Sequence, residues 1–110
     1  MSPRCRSCRP VPDEVCSAAD LLGRRWAIPI LYASHAGASR FNEFLSAVGR
    51  IPPRTLAARL VELERAGLLE RSVVHARPPH VEYRLTRRGR ELRELLDALE
   101  GWAATSRRTA

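Results

Sequence analysis

Two short helical patterns joined by a tight turn constrain this chain more than any other feature. Phe41, Phe44, Leu45 and Val48 recur at i, i+3, i+4 and i+7, the repeat of one helix face, and Gly49 stops that run. The turn Gly49-Arg50-Ile51 leads into Pro52 and Pro53. Proline suits the first helical position because the N–H it lacks would have no partner there. Leu56, Leu60 and Leu63 then form the stripe of a second helix that ends at Gly67. Two such helices cannot bury their stripes against each other alone, so the flanking segments must complete a shared core.

Those segments have readable periods. Val15, Ala18, Ala19 and Leu22 place a helix over Asp13–Leu22, with Asp13 as its cap and Gly23 as its stop. Trp26–Ala36 is apolar nearly all round, as a central buried helix is, and Pro29 is tolerated only near its first turn. Downstream, Leu69–Val74 is rich in β-branched residues and Val81–Leu85 alternates with period two. The Pro78-Pro79 pair between them predicts a β-hairpin whose tip carries His75, Arg77 and His80. A last helix is expected after Thr86, and its stripe of Leu92, Leu95, Leu96, Leu99, Trp102 and Ala103 is wider than so small a core needs. The expected organisation is a flexible basic arm over 1–12, a folded domain over 13–106 and a tail over 107–110. The fold class is mainly α with a small β-hairpin, α+β.

With 110 residues the chain makes one domain, small enough that pairing with a second copy would add to its buried surface. The net charge of +7 and pI near 10.9 favour a polyanionic partner. No apolar run approaches the roughly 18 residues of a membrane span, and the basic start leads into no signal-like apolar stretch, so a cytoplasmic protein without membrane contact is expected. There is no Gly-rich phosphate loop, no Ser or Cys with a base at motif spacing and no paired-carboxylate signature. Neither an enzyme nor a cofactor is expected.

Helix, turn, helix and hairpin is the order of a winged helix, in which the second helix of the pair enters the major groove of double-stranded DNA. The leucine stripe turns Arg54, Thr55, Ala58, Glu62 and Arg65 outward. Base contacts come from the first half of such a helix, which singles out Arg54 and Thr55 beside Pro53 and Ala58, since arginine bonds a guanine edge bidentately. Arg59 lies on the flank, able to reach either a phosphate or an acidic neighbour. Arg40 and Asn42 at the start of the preceding helix, and His75, Arg77 and His80 at the hairpin tip, complete the expected DNA-contacting set. No His-x-x-x-His spacing occurs, so the histidines, His35 included, read as polar surface residues and no metal site is expected. The alternative function is a winged helix serving as a protein-interaction or RNA-binding adaptor.

Several blocks resemble the HxlR family of winged helix-turn-helix regulators, relatives of the MarR group. They are Asp20-Leu21-Leu22-Gly23-Arg24-Arg25-Trp26, Arg40-Phe41-Asn42-Glu43-Phe44, Pro53-Arg54-Thr55-Leu56, Arg59-Leu60, Leu63-Glu64 and Ala66-Gly67-Leu68-Leu69. Pro78-Pro79-His80-Val81-Glu82-Tyr83-Arg84-Leu85-Thr86 and Gly89 follow in the same order, so the likeness runs from Val15 to Trp102. The resemblance implies a homodimer joined by the first and last helices, binding operator DNA as a repressor or activator. Val15, Ala19 and Leu22 with Leu92, Leu95, Leu96, Leu99 and Trp102 are the expected interface. The chain departs from the family in having Asp13 where a cysteine is frequent, and Pro52 where a polar helix cap is.

Cys5, Cys8 and Cys16 all lie near the start, an odd number that argues against a disulfide framework. Arg4, Arg6 and Arg9 surround the first two, and positive charge stabilises thiolate, which makes a redox or electrophile sensor one reading. A zinc site lacks a fourth ligand at familiar spacing, and an inert arm is the third reading. Family members that sense oxidants do so through the cysteine at the place of Asp13, whereas Cys16 falls about one turn later. A small effector could also sit among Trp26, Tyr32 and Trp102, or those aromatics simply fill the core.

Overall fold

The computed structural model describes residues 9–109. Its elements run α1 (Asp13–Leu22), α2 (Ala27–His35), α3 (Phe41–Val48), α4 (Pro53–Arg65), β1 (Leu69–Val74), β2 (His80–Leu85), α5 (Arg87–Arg90) and α6 (Arg93–Thr109). The leucine stripe of α4 does what its period dictates: Leu56, Leu60 and Leu63 are all within 1% of complete burial. They pack with Ile30 and Leu31 of α2, Phe44 of α3, Ile51 of the turn, Leu68, Leu69 and Leu96 into one core. The helix-turn-helix is thus held from behind by α2, the most apolar segment of the chain. That segment spans Ala27–His35, one residue shorter at each end than expected, because Trp26 takes a left-handed conformation with φ 78° and Ala36 caps the other end.

β1 and β2 pair antiparallel with Leu69 opposite Leu85 and Val74 opposite His80, leaving residues 75–79 as the loop. The hairpin is fixed to the helices at its base, where the Tyr83 N–H donates to the Ser39 carbonyl at 2.7 Å.

The helix expected after Thr86 is interrupted, forming α5 and then α6. Thr86 caps α5 by accepting from the Gly89 N–H at 3.1 Å, while its hydroxyl donates to the Gly67 carbonyl. The Gly89 carbonyl, which an uninterrupted helix would give to the N–H four residues on, instead accepts from Leu92 N–H at 3.2 Å and from His35 Nε2 at 3.0 Å. His35 is therefore a half-buried tie between α2 and α5 and not the free surface residue expected. Gly89 is buried, and a Cβ there would stand 2.2 Å from the Leu68 carbonyl oxygen and 3.0 Å from Leu85 Cδ2. Because the nearer obstacle is backbone, Gly89→Ala is expected to lower stability by about 1–3 kcal/mol, read as a drop in the thermal or denaturant midpoint. An unchanged midpoint would show that α5 can lift from Leu68 without loss.

The apolar stripe of the last helix divides between two surfaces. Leu96 is 4% exposed and belongs to the core, with Leu92 packed beside it, whereas Leu95, Leu99 and Trp102 are 52%, 39% and 69% exposed. In α1 no residue is buried; Val15 and Ala19 face solvent and Leu22 is half-buried at the core edge. Two terminal helices thus present apolar side chains that no other described residue covers.

Candidate nucleic-acid interface

α4 begins with Pro52 at the N-cap and Pro53 as its first residue, and no side chain caps it. Its solvent face carries Pro53, Arg54, Ala57, Ala58, Val61 and Arg65, with Thr55, Arg59 and Glu62 half-buried along the flanks. Ala57 and Val61, the latter 39% exposed, were not among the residues singled out from sequence. They lie three and seven positions after Arg54 on the same helix face, so the helical period was the signal that could have found them. Small and aliphatic side chains there let a helix approach a groove closely and touch thymine methyl groups.

A polar network ties down the flank of α4. Arg59 Nε donates to the Arg25 carbonyl at 2.9 Å, and its Nη1 reaches Glu62 Oε1 at 3.2 Å. Arg24 Nη2 meets the same carboxylate oxygen at 2.9 Å. Of the two roles open to Arg59, the structure thus gives it the acidic neighbour, together with a carbonyl, and leaves its side chain 17% exposed. The turn between α1 and α2 is thereby tied to α4.

At the start of α3, Glu43 accepts from the backbone N–H of Arg40 at 2.9 Å and of Ser39 at 3.0 Å. Those two bonds, Arg40's first, hold its carboxyl below the ordinary carboxylate range. Arg40 and Asn42 are exposed beside it and share a cleft with His80 and Val81, so the structure brings these expected contact residues together at the foot of the hairpin. His80 does not project from the tip. It lies in β2, half-buried, with Nε2 3.6 Å from Glu82 Oε2. Glu82 also receives Arg84 at 3.0 Å and the Ser39 hydroxyl at 3.4 Å, which stiffens the hairpin base. His75 and Arg77 remain exposed in the loop.

The three aromatics suggested as an effector pocket do not converge. Tyr32 borders an apolar groove of about 470 Å³ with Ile28, Leu96 and Leu99. Its hydroxyl donates to Glu100 Oε2, and that bond and the carboxylate's charge raise its pKa above the usual phenol value. Trp26 borders a different cleft, and Trp102 stands in solvent. Cys5 and Cys8 lie outside the described residues; Cys16 is exposed on α1. Among the described residues no group of three or more His, Cys, Asp or Glu is placed to hold a metal, and no helix is long and apolar enough to cross a membrane.

Known proteins share this arrangement. The HxlR-like helix-turn-helix family matches residues 21–109. YvaP of Bacillus subtilis, an uncharacterized HTH-type transcriptional regulator, is 36% identical over 86 residues, spanning 78% of this chain and 80% of its own. The reduced form of the transcriptional regulator YodB from B. subtilis superposes with a TM-score of 0.76 at 34% identity, covering 86% of this chain and 92% of that one. The redox regulator HypR in its reduced form superposes with a TM-score of 0.79 at 36% identity, covering 86% and 94%. Sequence blocks and winged-helix architecture agree with these matches: the chain belongs to the HxlR-like family of helix-turn-helix transcriptional regulators.

Proposed function

We propose that two copies of this chain pair through α1 and α6 and set two α4 helices in successive major grooves of a pseudo-palindromic operator. Arg54 and Thr55 read base edges, Ala57, Ala58 and Val61 line the groove, and Arg40, Asn42, His75 and Arg77 meet the flanking backbone or minor groove. The observation that carries the reading is the position of Arg54. It is exposed at the uncapped start of a helix whose flank is already fixed by the Arg59–Glu62–Arg24 network, and it pairs with no carboxylate among the described residues. Such a residue is held in place by the scaffold while its own fork stays free. The reading needs no catalytic group or cofactor and places the protein in the cytoplasm with its DNA.

Cys16, exposed on α1, supports a thiol input, because modifying a side chain on a pairing helix would change the spacing of the two reading helices. HypR is itself named a redox regulator. If Cys16 is the sensor, diamide releases wild-type protein from DNA and spares Cys16→Ser; equal release of both would sink that part of the reading.

Footprinting on a selected operator tests the paired arrangement. Two protected half-sites should appear about 10 base pairs apart, centre to centre, or a multiple of one turn, and inserting about 5 base pairs between them should abolish tight binding by turning them to opposite faces. A single protected half-site, indifferent to the insertion, would rule the paired arrangement out.

A further inference from the structure

A second cationic feature lies at the start of α4, where the α1–α2 turn and the turn before α4 meet the helix. Arg25, Trp26, Arg50, Pro52, Thr55 and Arg59 line a cleft of about 360 Å³ between the α1–α2 turn and the start of α4. We propose that this cleft seats a phosphate of the DNA backbone; the proposal rests on the DNA-binding reading and specifies how α4 is positioned on the duplex.

Four observations point to an anion there. Three guanidinium-bearing residues border the cleft and no carboxylate does. Of the three, only Arg59 is paired, with Glu62; Arg25 and Arg50 have no acidic partner among the described residues. Two like charges held close without an acidic partner raise the local potential, and an anion relieves it. Second, the two non-glycine residues with positive φ among the described residues, Trp26 at 78° and Arg50 at 51°, both border this cleft. Side chains rarely occupy that conformation without compensation, and such residues gather where binding needs them. Third, the Arg25 guanidinium carbon lies 5.0 Å from the centroid of the Trp26 ring, a cation–π contact that holds the fork against another residue of the cleft.

The fourth observation is the helix start itself. With Pro52 at the N-cap and Pro53 first, α4 has no side-chain cap, so the N–H groups of Arg54 and Thr55 are the donors left at that end. A phosphate oxygen in the cleft takes the place of the polar cap that Pro52 cannot provide, while Arg25 and Arg50 supply charge-assisted bonds. The partner is a duplex phosphodiester and not a free anion, because the cleft opens at the same end of α4 as Arg54. A backbone phosphate held there fixes how far that helix enters the groove and is blind to base sequence.

The test is the salt dependence of binding, compared for operator and random DNA. Arg50→Gly removes the charge and relieves the positive φ, and Arg25→Gln removes the other free fork without touching the backbone. Arg50→Lys keeps the charge, and Arg93→Gln removes a charge from α6 as a control. Each lost phosphate contact should flatten log K against log salt by about 0.9, hence by about 1.8 in a dimer, for both Arg50→Gly and Arg25→Gln. The operator-to-random preference should survive, Arg50→Lys should match wild type, and Arg50→Gly should melt no lower than wild type. Slopes no flatter than that of Arg93→Gln, alongside intact Arg54-dependent operator binding, would overturn the cleft proposal and leave the DNA reading standing. Collapse of operator preference in Arg50→Gly would make Arg50 a base reader and also overturn it. A wild-type protein that does not bind DNA would remove both.

Discussion

Replacing Leu95 and Trp102 together by glutamate is expected to give a folded monomer whose operator affinity falls by about 100-fold or more. The two side chains are 52% and 69% exposed, and neither belongs to the core cluster, so the change leaves the interior of the chain intact. In the pairing proposed here they are covered by a second copy. Burying a large apolar side chain contributes about 1.5–3 kcal/mol, and the substitution reverses that gain while placing a carboxylate in a dry contact. Without pairing, each α4 engages its half-site alone and the advantage of simultaneous binding is lost. Sedimentation measures the mass, a melt confirms the fold and a DNA titration gives the affinity. A variant that remains dimeric places the interface elsewhere. A monomer that keeps full affinity shows that pairing is not needed for binding.

Arg54→Ala is expected to lower operator affinity by about 30-fold or more while weakening binding to random DNA much less. A bidentate arginine–guanine pair contributes about 1–3 kcal/mol of discrimination, and a symmetric dimer loses two of them. The substitution should not disturb the fold, because Arg54 is exposed, stands outside the polar network and yields to a residue with higher helix propensity. Arg59→Ala makes an instructive contrast. It leaves the Arg25 carbonyl and Glu62 without their tie, so it should reduce stability together with binding to every DNA sequence. Equal losses on operator and random DNA for Arg54→Ala would assign that residue to the backbone and shift base reading elsewhere on α4.

The helices, the turn between them and the hairpin were legible in the sequence because each rests on a local period. Leu56, Leu60 and Leu63 announce the buried face of α4 whatever lies opposite. The same wheel gave Arg54 its exposure. What stayed hidden depends on contacts between distant segments. Where the last helix divides, Gly89 lies close against the Leu68 carbonyl and its own carbonyl accepts from His35. Neither partner is a neighbour in sequence. The leucine stripe of α6 looked uniform, yet the bearing of one helix on the core puts Leu96 inside and leaves Leu95 outside. Arg59 was readable as a flanking residue, but its bond to the Arg25 carbonyl needs the α1–α2 turn folded against α4. The cleft beside it was out of reach altogether, since no local signal marks Trp26 and Arg50 for positive φ.

The most direct measurement is a titration of the reduced wild-type protein against DNA from upstream of its own and neighbouring genes, with excess random competitor. Tight binding that survives the competitor and weakens steeply between roughly 50 and 200 mM salt is the expected result. Weak binding of equal strength to every DNA offered would contradict operator recognition and favour the adaptor or RNA-binding alternative.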